Sequence, residues 1–383
     1  MYTVENIHQQ LFAQGLLSRE SLLSGGYEAT TAHARQEYLT ITTRKNENYF
    51  IKQADPANAA KTAGLKNEIL FYQRIKTNLP ELAASLPEVK YGCIDGSQLI
   101  LAHQPTAVPA SRHHKNPAAS GASSAMLQSV GKLLGQLHAK LSAIHLSSTA
   151  EFDFLDSPQP RTFELQKFFK PHPGILQWAG SGAVQFIEFA QAQKTLDRDW
   201  ENAARCWNTD AIIHGDTRLD DFLIDEQYCT DGTGTGKVTG WENVQFGDAA
   251  WDIAGILSDL MIRRAEMPGE KTPQQAARHT NSPFAAIAPD MQAFCQAYAA
   301  ACDIEGQGLN RRFEKAIAFA GMRIMQTAFD MSAKADSIHD TAQLLAETGA
   351  GILKNPQFAC GQFCIAHQGA DAGCEPSELH HAA

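Results

Sequence analysis

Ile212-Ile213-His214-Gly215-Asp216-Thr217-Arg218-Leu219-Asp220-Asp221-Phe222-Leu223-Ile224-Asp225 is the stretch on which the reading of this chain turns, and Trp241-Glu242-Asn243-Val244-Gln245-Phe246-Gly247-Asp248-Ala249-Ala250-Trp251-Asp252 follows it. A polar His-Gly-Asp loop lies between two short apolar runs. Residues 222–225 and 237–241 flank a segment so dense in Gly and Thr (229–236) that it cannot sustain a helix, which predicts a hairpin with a flexible tip. Asp221 precedes the first strand and Gly240 closes the second, so antiparallel pairing brings the two to one end.

Upstream, residues 38–43 and 49–52 are β-branched and aromatic around a polar turn, a second hairpin. Leu65, Ile69, Tyr72 and Ile75 then recur at helical spacing over 58–76. A third hairpin, 89–94 with 98–102, turns on Asp95-Gly96. Residues 105–124, with three Pro and no apolar period, read as a solvent-exposed connector. Beyond 125 the chain is predominantly helical, with stripes over 126–137, 183–206, 249–264, 288–302 and 311–350. The reading is α+β and bilobed: a β-rich N-lobe with one main helix (1–103), a hinge (104–124), a helical C-lobe (125–358) and a mobile tail (359–383).

The 383 residues carry 32 basic and 42 acidic side chains, a net charge of −10, which argues against a surface built for nucleic acid or anionic membrane. A hydrophobic content of 44% is ample for a core. No apolar run approaches the ~18 residues of a membrane span, and the first residues lack the basic head and apolar run of a secretory signal. Eight scattered cysteines suit reduced thiols, so the expected location is the cytoplasm. Cys360, Cys364, His367 and Cys374 have loose zinc-ligand spacing, but their polar, turn-like surroundings favour a frayed tail with free thiols.

The His-Gly-Asp loop, the hairpin, the Trp-Glu segment and the Gly-Asp opening of a helix resemble, in order and spacing, the aminoglycoside phosphotransferase-like branch of the protein-kinase-like fold. The resemblance implies that Asp216 is the catalytic-loop carboxylate, with His214 bracing the loop and Arg218 either on phosphate or substrate or in an ordinary surface pair. It implies that Lys52 holds nucleotide phosphate and that Glu68 keeps it charged. A phosphate-covering loop is expected around Ser24-Gly25-Gly26-Tyr27-Glu28-Ala29, where adjacent glycines allow close backbone approach, although they form no GxGxxG and fit an ordinary turn equally well. Asp248 is expected to cap the following helix and tie it to the catalytic loop, with Asp252, Phe246 and Trp251 as framework.

Two positions depart from the family pattern, and both concern metal. Asp221 stands where Asn is expected, and Gly240 stands where the Asp bridging Mg²⁺ to the phosphates is expected. Asn plus Asp and Asp plus Gly each carry one negative charge, so the carboxylate has moved across the site. Glu242 is read as structural. Two functions stay open. One is transfer of the γ-phosphoryl group of ATP, or another nucleoside triphosphate, to a hydroxyl of a small molecule or peptide, weakened and with Asp221 holding a single Mg²⁺. The other is a pseudokinase scaffold that binds nucleotide or peptide beside a partner enzyme, for example in peptide natural-product maturation. The acceptor and the oligomeric state are not encoded in any motif.

Overall fold

Alternation along residues 38–53 sorts the small lobe into two faces. Leu39, Ile41, Tyr49 and Ile51 are buried on one side, with Ile100, against Ile7, Leu11 and Leu17. Lys52, next to Ile51, turns to the other side and is itself buried. The computed structural model describes residues 2–33, 37–114, 120–147, 150–171, 179–267, 284–302, 304–333 and 335–363.

Two short helices, α1 (Ile7–Ala13) and α2 (Arg19–Leu23), precede strands β1 (Glu28–His33), β2 (Glu37–Thr42) and β3 (Tyr49–Gln53). Helix α3 (Ala59–Asn78) follows, then β4 (Val89–Gly92) and β5 (Gln98–Ala102). The strands form one antiparallel sheet in the order β1-β2-β3-β5-β4. Helix α3 packs its Leu65, Ile69, Phe71, Tyr72 and Ile75 into the core that includes Leu99 and Leu101. The three expected pieces are present, and β1, α1 and α2 are additions to them.

The segment expected to be a bare connector carries structure. Val108–Pro109 (β6) pairs with the hairpin strand Phe222–Ile224, and Ala110–His114 (α4) continues from it. Ala107, Ala110 and Ser111 are buried, so small side chains let this segment pack where composition alone suggested exposure. Helix α5 (Ser120–Ser147) then opens the large lobe, followed by α6 (Ser181–Ala192) and α7 (Leu196–Arg205).

Strand β7 (Ala211–Ile213) leads into the His-Gly-Asp loop, and β8 (Phe222–Ile224) and β9 (Gly236–Val238) pair as the expected hairpin. Its tip is not all loop. Asp225 caps helix α8 (Glu226–Asp231) by accepting the Tyr228 N–H, and Gly232 closes it in the left-handed conformation. The helix takes in Cys229, Thr230 and Asp231, the start of the segment read as unable to sustain one, because the Gly-Thr alternation itself begins only at Gly232. Strand β10 (Gln245–Gly247) pairs back onto β7.

Four long or medium helices complete the lobe: α9 (Ala249–Glu266), α10 (Ala288–Cys302), α11 (Gly306–Ala333) and α12 (Asp340–Lys354). Helix α13 (Pro356–Phe363) runs across the expected tail boundary, with Cys360 half-buried in it. Cys364, His367 and Cys374 lie outside the described residues. Among the described residues, no helix is long and apolar enough to cross a membrane.

Candidate active site

The His214–Asp216 loop is shaped from behind by one buried carboxylate. Asp252, in the first turn of α9, accepts the His214 N–H at 2.7 Å and the Gly215 N–H at 3.0 Å. His138 of α5 meets the same side chain at 3.1 Å, and its other ring nitrogen meets the Tyr298 hydroxyl at 2.9 Å. Burial alone would raise the Asp252 carboxyl, but the His138 contact and the nearby His214 outweigh it and hold the group below its ordinary range. Thr217 donates to the Asp252 carbonyl at 2.6 Å, and Trp251 Nε1 donates to the Gly215 carbonyl at 2.9 Å.

Gly215 turns through φ +87°, and a Cβ there would meet the Asn243 carbonyl at 2.3 Å, so only glycine fits the loop. The His214 ring spans from the Asp216 N–H, 3.4 Å away, to the Thr239 carbonyl, 2.8 Å away. It therefore ties the loop to the hairpin. Asp248 caps α9 as expected, accepting the Ala250 N–H, but its remaining contacts are with the Asn208 N–H and Lys315. Asp252, not Asp248, joins the helix to the loop.

At the front of the loop, Asp216 Oδ1 pairs with Arg323 of α11 at 2.8 Å, and Arg218 Nε lies 3.9 Å from the same oxygen. Arg323 is buried, its guanidinium 4.9 Å over the Trp251 ring and its Nε 3.3 Å from the Ser258 hydroxyl. It lies 107 positions beyond Asp216 and has no local sequence signal.

Asp221 and Gly240 come together as the hairpin geometry predicts. Gly240 is left-handed, φ +86°, and a Cβ there would lie 2.9 Å from Asp221 Oδ1. Asp221 Oδ2 accepts the Arg218 N–H at 2.8 Å. The missing side chain thus leaves a cradle beside a carboxylate oxygen. Among the described residues no cluster of three or more His, Cys, Asp or Glu side chains could hold a metal. An ion held by Asp221 would need oxygens from phosphate and water, as Mg²⁺ commonly takes them.

On the small lobe, Lys52 Nζ bonds both Glu68 oxygens, at 2.9 and 2.8 Å. It also reaches Glu242 Oε1 of the large lobe at 3.0 Å. Burial disfavours the ammonium, but the two carboxylates outweigh it and raise the Lys52 pKa. Burial would raise Glu242 as well; Lys52 overcomes it and holds that carboxyl low. Tyr72 donates to Glu68 at 3.0 Å. Glu242 is more than the structural residue its position suggested: it joins the lobes.

Tyr38, directly across from Lys52 in the sheet, stacks on Phe50 with centroids 3.9 Å apart, and Phe50 meets His103 at 5.9 Å. His103 follows β5 in the segment joining the lobes. Its buried Nδ1 has no partner among the described residues, and burial lowers its pKa, favouring the neutral ring. An orphaned ring nitrogen beside an aromatic row, on the sheet face of an ammonium, fits a nucleotide base and phosphates.

Gly25 and Gly26 are placed elsewhere. Lys52 pairs with Tyr38, and Tyr38 with Ala32. The end of β1 nearest Lys52 is therefore its C-terminal end, at Ala32 and His33; residues 34–36 lie outside the described residues. Glu28, where β1 begins, is four positions before Ala32, about 13 Å along a strand. The glycine pair precedes even that point, so it lies at the wrong end of β1 to cover phosphates.

The sequence profile of the phosphotransferase enzyme family matches residues 26–286. No curated protein matches the chain. Among solved structures, a choline kinase from Cryptosporidium parvum aligns with a TM-score of 0.53 at 11% identity, covering 94% of this chain and 96% of that one. The GDP complex of aminoglycoside 2'-phosphotransferase-IIIa gives 0.53 at 12% identity, with 91% and 99% covered. Plasmodium vivax ethanolamine kinase gives 0.51 at 11% identity, with 90% and 87% covered. At these identities the likeness is one of fold, the bilobed α+β architecture described above.

Proposed function

The chain belongs to the phosphotransferase enzyme family, and from that premise we propose that it transfers the γ-phosphoryl group of ATP, or another nucleoside triphosphate, to a hydroxyl of a small molecule or peptide. The observation that supports this reading is a path of contacts between the two lobes. Lys52 reaches Glu242, Asn243 adjoins it in the chain, and the Asn243 carbonyl packs on Gly215, next to Asp216. Lys52, read as the cation for phosphate, and Asp216, read as the catalytic carboxylate, are thus linked through Glu242 and Asn243.

In this reading Lys52 holds phosphate oxygens and His103 Nδ1 meets the base. Asp216, fixed by Arg323, orients the acceptor hydroxyl and receives its proton as the acceptor oxygen bonds to the γ-phosphorus. The bond from that phosphorus to the leaving oxygen breaks, and the nucleoside diphosphate keeps the electron pair. Asp221 would hold a divalent ion, which neutralises phosphate charge when bound. With Gly240 opposite, that ion has one protein carboxylate where two groups are expected, so slow transfer is the consequence.

A second reading, the scaffold, is favoured by Gly240 itself. Its left-handed backbone and its approach to Asp221 oppose any simple restoration of the absent carboxylate. Calorimetric titration of ATP with and without Mg²⁺, followed by ATP consumption over a panel of hydroxyl acceptors, separates the two. The transferase reading expects metal-dependent consumption that Asp216→Asn abolishes. ATP binding without consumption in either Mg²⁺ or Mn²⁺ returns the scaffold. Absence of ATP binding defeats the transferase and leaves only a scaffold that binds peptide.

A further inference from the structure

The cavity beside Asp216, about 630 Å³, has a charge pattern unlike that of the chain as a whole. Its lining includes three arginines, Arg161, Arg218 and Arg323, and three aspartates, Asp216, Asp259 and Asp330, in a protein of 32 basic and 42 acidic residues. Asp259 is already engaged. Its carboxylate accepts the Leu219 N–H at 2.9 Å and Arg263 Nε at 3.0 Å, and Arg263 is not part of the lining. Asp330 is at the exposed rim and accepts from Gln326.

A cationic acceptor finds little here. Among the described residues Trp251 is the single aromatic of the lining, and the Arg323 guanidinium lies over its ring. That arrangement leaves no competing cation-π platform on that face. Arg323 in turn is committed to Asp216 and Ser258. Arg218 is different: it is 43% exposed and 3.9 Å from Asp216, beyond hydrogen-bond reach. Arg161 opens the 3₁₀ segment Arg161–Phe168, is exposed, and has no ion-pair partner among the described residues. Two guanidiniums, each able to bind an oxyanion with a planar fork, thus line the cavity that contains the catalytic-loop carboxylate.

We infer that the acceptor carries an anionic group, a carboxylate or a phosphate, that Arg161 and Arg218 hold while its hydroxyl is left for Asp216. This rests on the phosphotransferase reading only for the role given to the hydroxyl. The binding claim stands on the cavity.

The test is calorimetry on the full chain without nucleotide, at matched ionic strength, with four probes: glycerate and glycerol 3-phosphate as anions, glycerol as neutral, and choline as cation. The anions should bind more tightly than glycerol and choline, one of them at least tenfold. Arg161→Met and Arg218→Met should each weaken that binding by about tenfold, and Arg161→Lys should restore part of it. Choline binding best, or anions binding no better than glycerol, overturns the inference.

A second arm repeats the titration with a non-hydrolysable ATP analogue at saturation. Unchanged anion affinity assigns the arginines to the acceptor. Competition assigns them to nucleotide phosphate and also overturns the inference. Neither arm measures turnover, so loss of the transferase reading and loss of this one remain separate results.

Discussion

The back and the front of the His-Gly-Asp loop are built on opposite principles. Behind it, Asp252 is fully buried and satisfied by two backbone N–H groups and His138. In front, Asp221 accepts the Arg218 backbone N–H and faces the space that Gly240 leaves. A buried carboxylate stripped of donors is costly, so the back is constrained by folding itself. The front is constrained by whatever must bind there, so its ligand pattern is free to depart without unfolding the chain. This is why the departures from the family pattern fall at the hairpin mouth while the frame behind it is complete.

The sharpest way to break that contrast is to remove one carboxylate from each side. Asp252→Ala orphans two loop N–H groups and a buried histidine, and should cost about 3–5 kcal/mol in denaturant unfolding. Asp221→Ala removes one capping interaction and should cost about 0.5–2 kcal/mol. Equal losses would show that the front is as structural as the back, and would remove the argument that its composition reports on function.

Lys52 joins the two principles, since its ammonium is buried like the back yet placed to serve the crevice. Lys52→Met leaves Glu68 and Glu242 without their cation and should cost about 3 kcal/mol. Adding Glu68→Leu should recover part of that loss, because a buried pair replaced by apolar groups is often tolerated. Nucleotide affinity should stay lost in both variants. Recovery of affinity along with stability would mean that Lys52 is there for the fold alone.

How much of this was readable in advance follows from the range of the interactions. The β2–β3 hairpin, helix α3 and the β8–β9 pair came from local alternation and periodicity, and the Asp221–Gly240 encounter from hairpin geometry. Strand β1, Glu-Ala-Thr-Thr-Ala-His, was missed because it has neither an apolar alternation nor an aromatic residue. Helix α8 was missed because the Gly-Thr run after it dominated the reading. The glycine pair at 25–26 fits a phosphate loop and an ordinary turn equally well because glycine marks turns generally, and only strand register tells which end of β1 adjoins Lys52. Arg323 on Asp216, and Glu242 on Lys52 across 190 positions, are tertiary facts with no local trace.

Gly240→Asp sharpens the front of the comparison with a smaller effect. The residue must adopt φ +86° and place a carboxylate near Asp221, so about 1–3 kcal/mol of stability should be lost. Divalent cation should return part of it, because an ion between the two carboxylates relieves their repulsion. Stabilisation without metal would show that the glycine is not required by the backbone, and that the empty cradle is a packing defect.

The smallest effect concerns His103, a half-buried residue whose ring has the orphaned polar atom of a binding site. Burial lowers its pKa from the ordinary 6.5, so the unfolded chain takes up a proton before the folded one does. Stability should therefore fall as pH drops below 6.5 and level off once the folded ring also protonates. Glu242 and Asp252 are shifted down from 4.5 and 3.8, so their contribution is present above those values and is lost only as pH falls through the lower folded ones. The two limbs begin at different pH, the first at the ordinary histidine value of 6.5 and the second at the ordinary carboxylate values of 4.5 and 3.8. His103→Phe should flatten the upper limb and leave the acid limb unchanged in pH-dependent melts. If the ring nitrogen meets a nucleotide base, ATP should also deepen the upper limb in the wild-type chain and not in the variant, because a base bound to the neutral ring must be given up as the ring charges. An upper limb that survives His103→Phe would place the titrating group elsewhere and leave Nδ1 without a ligand to explain it.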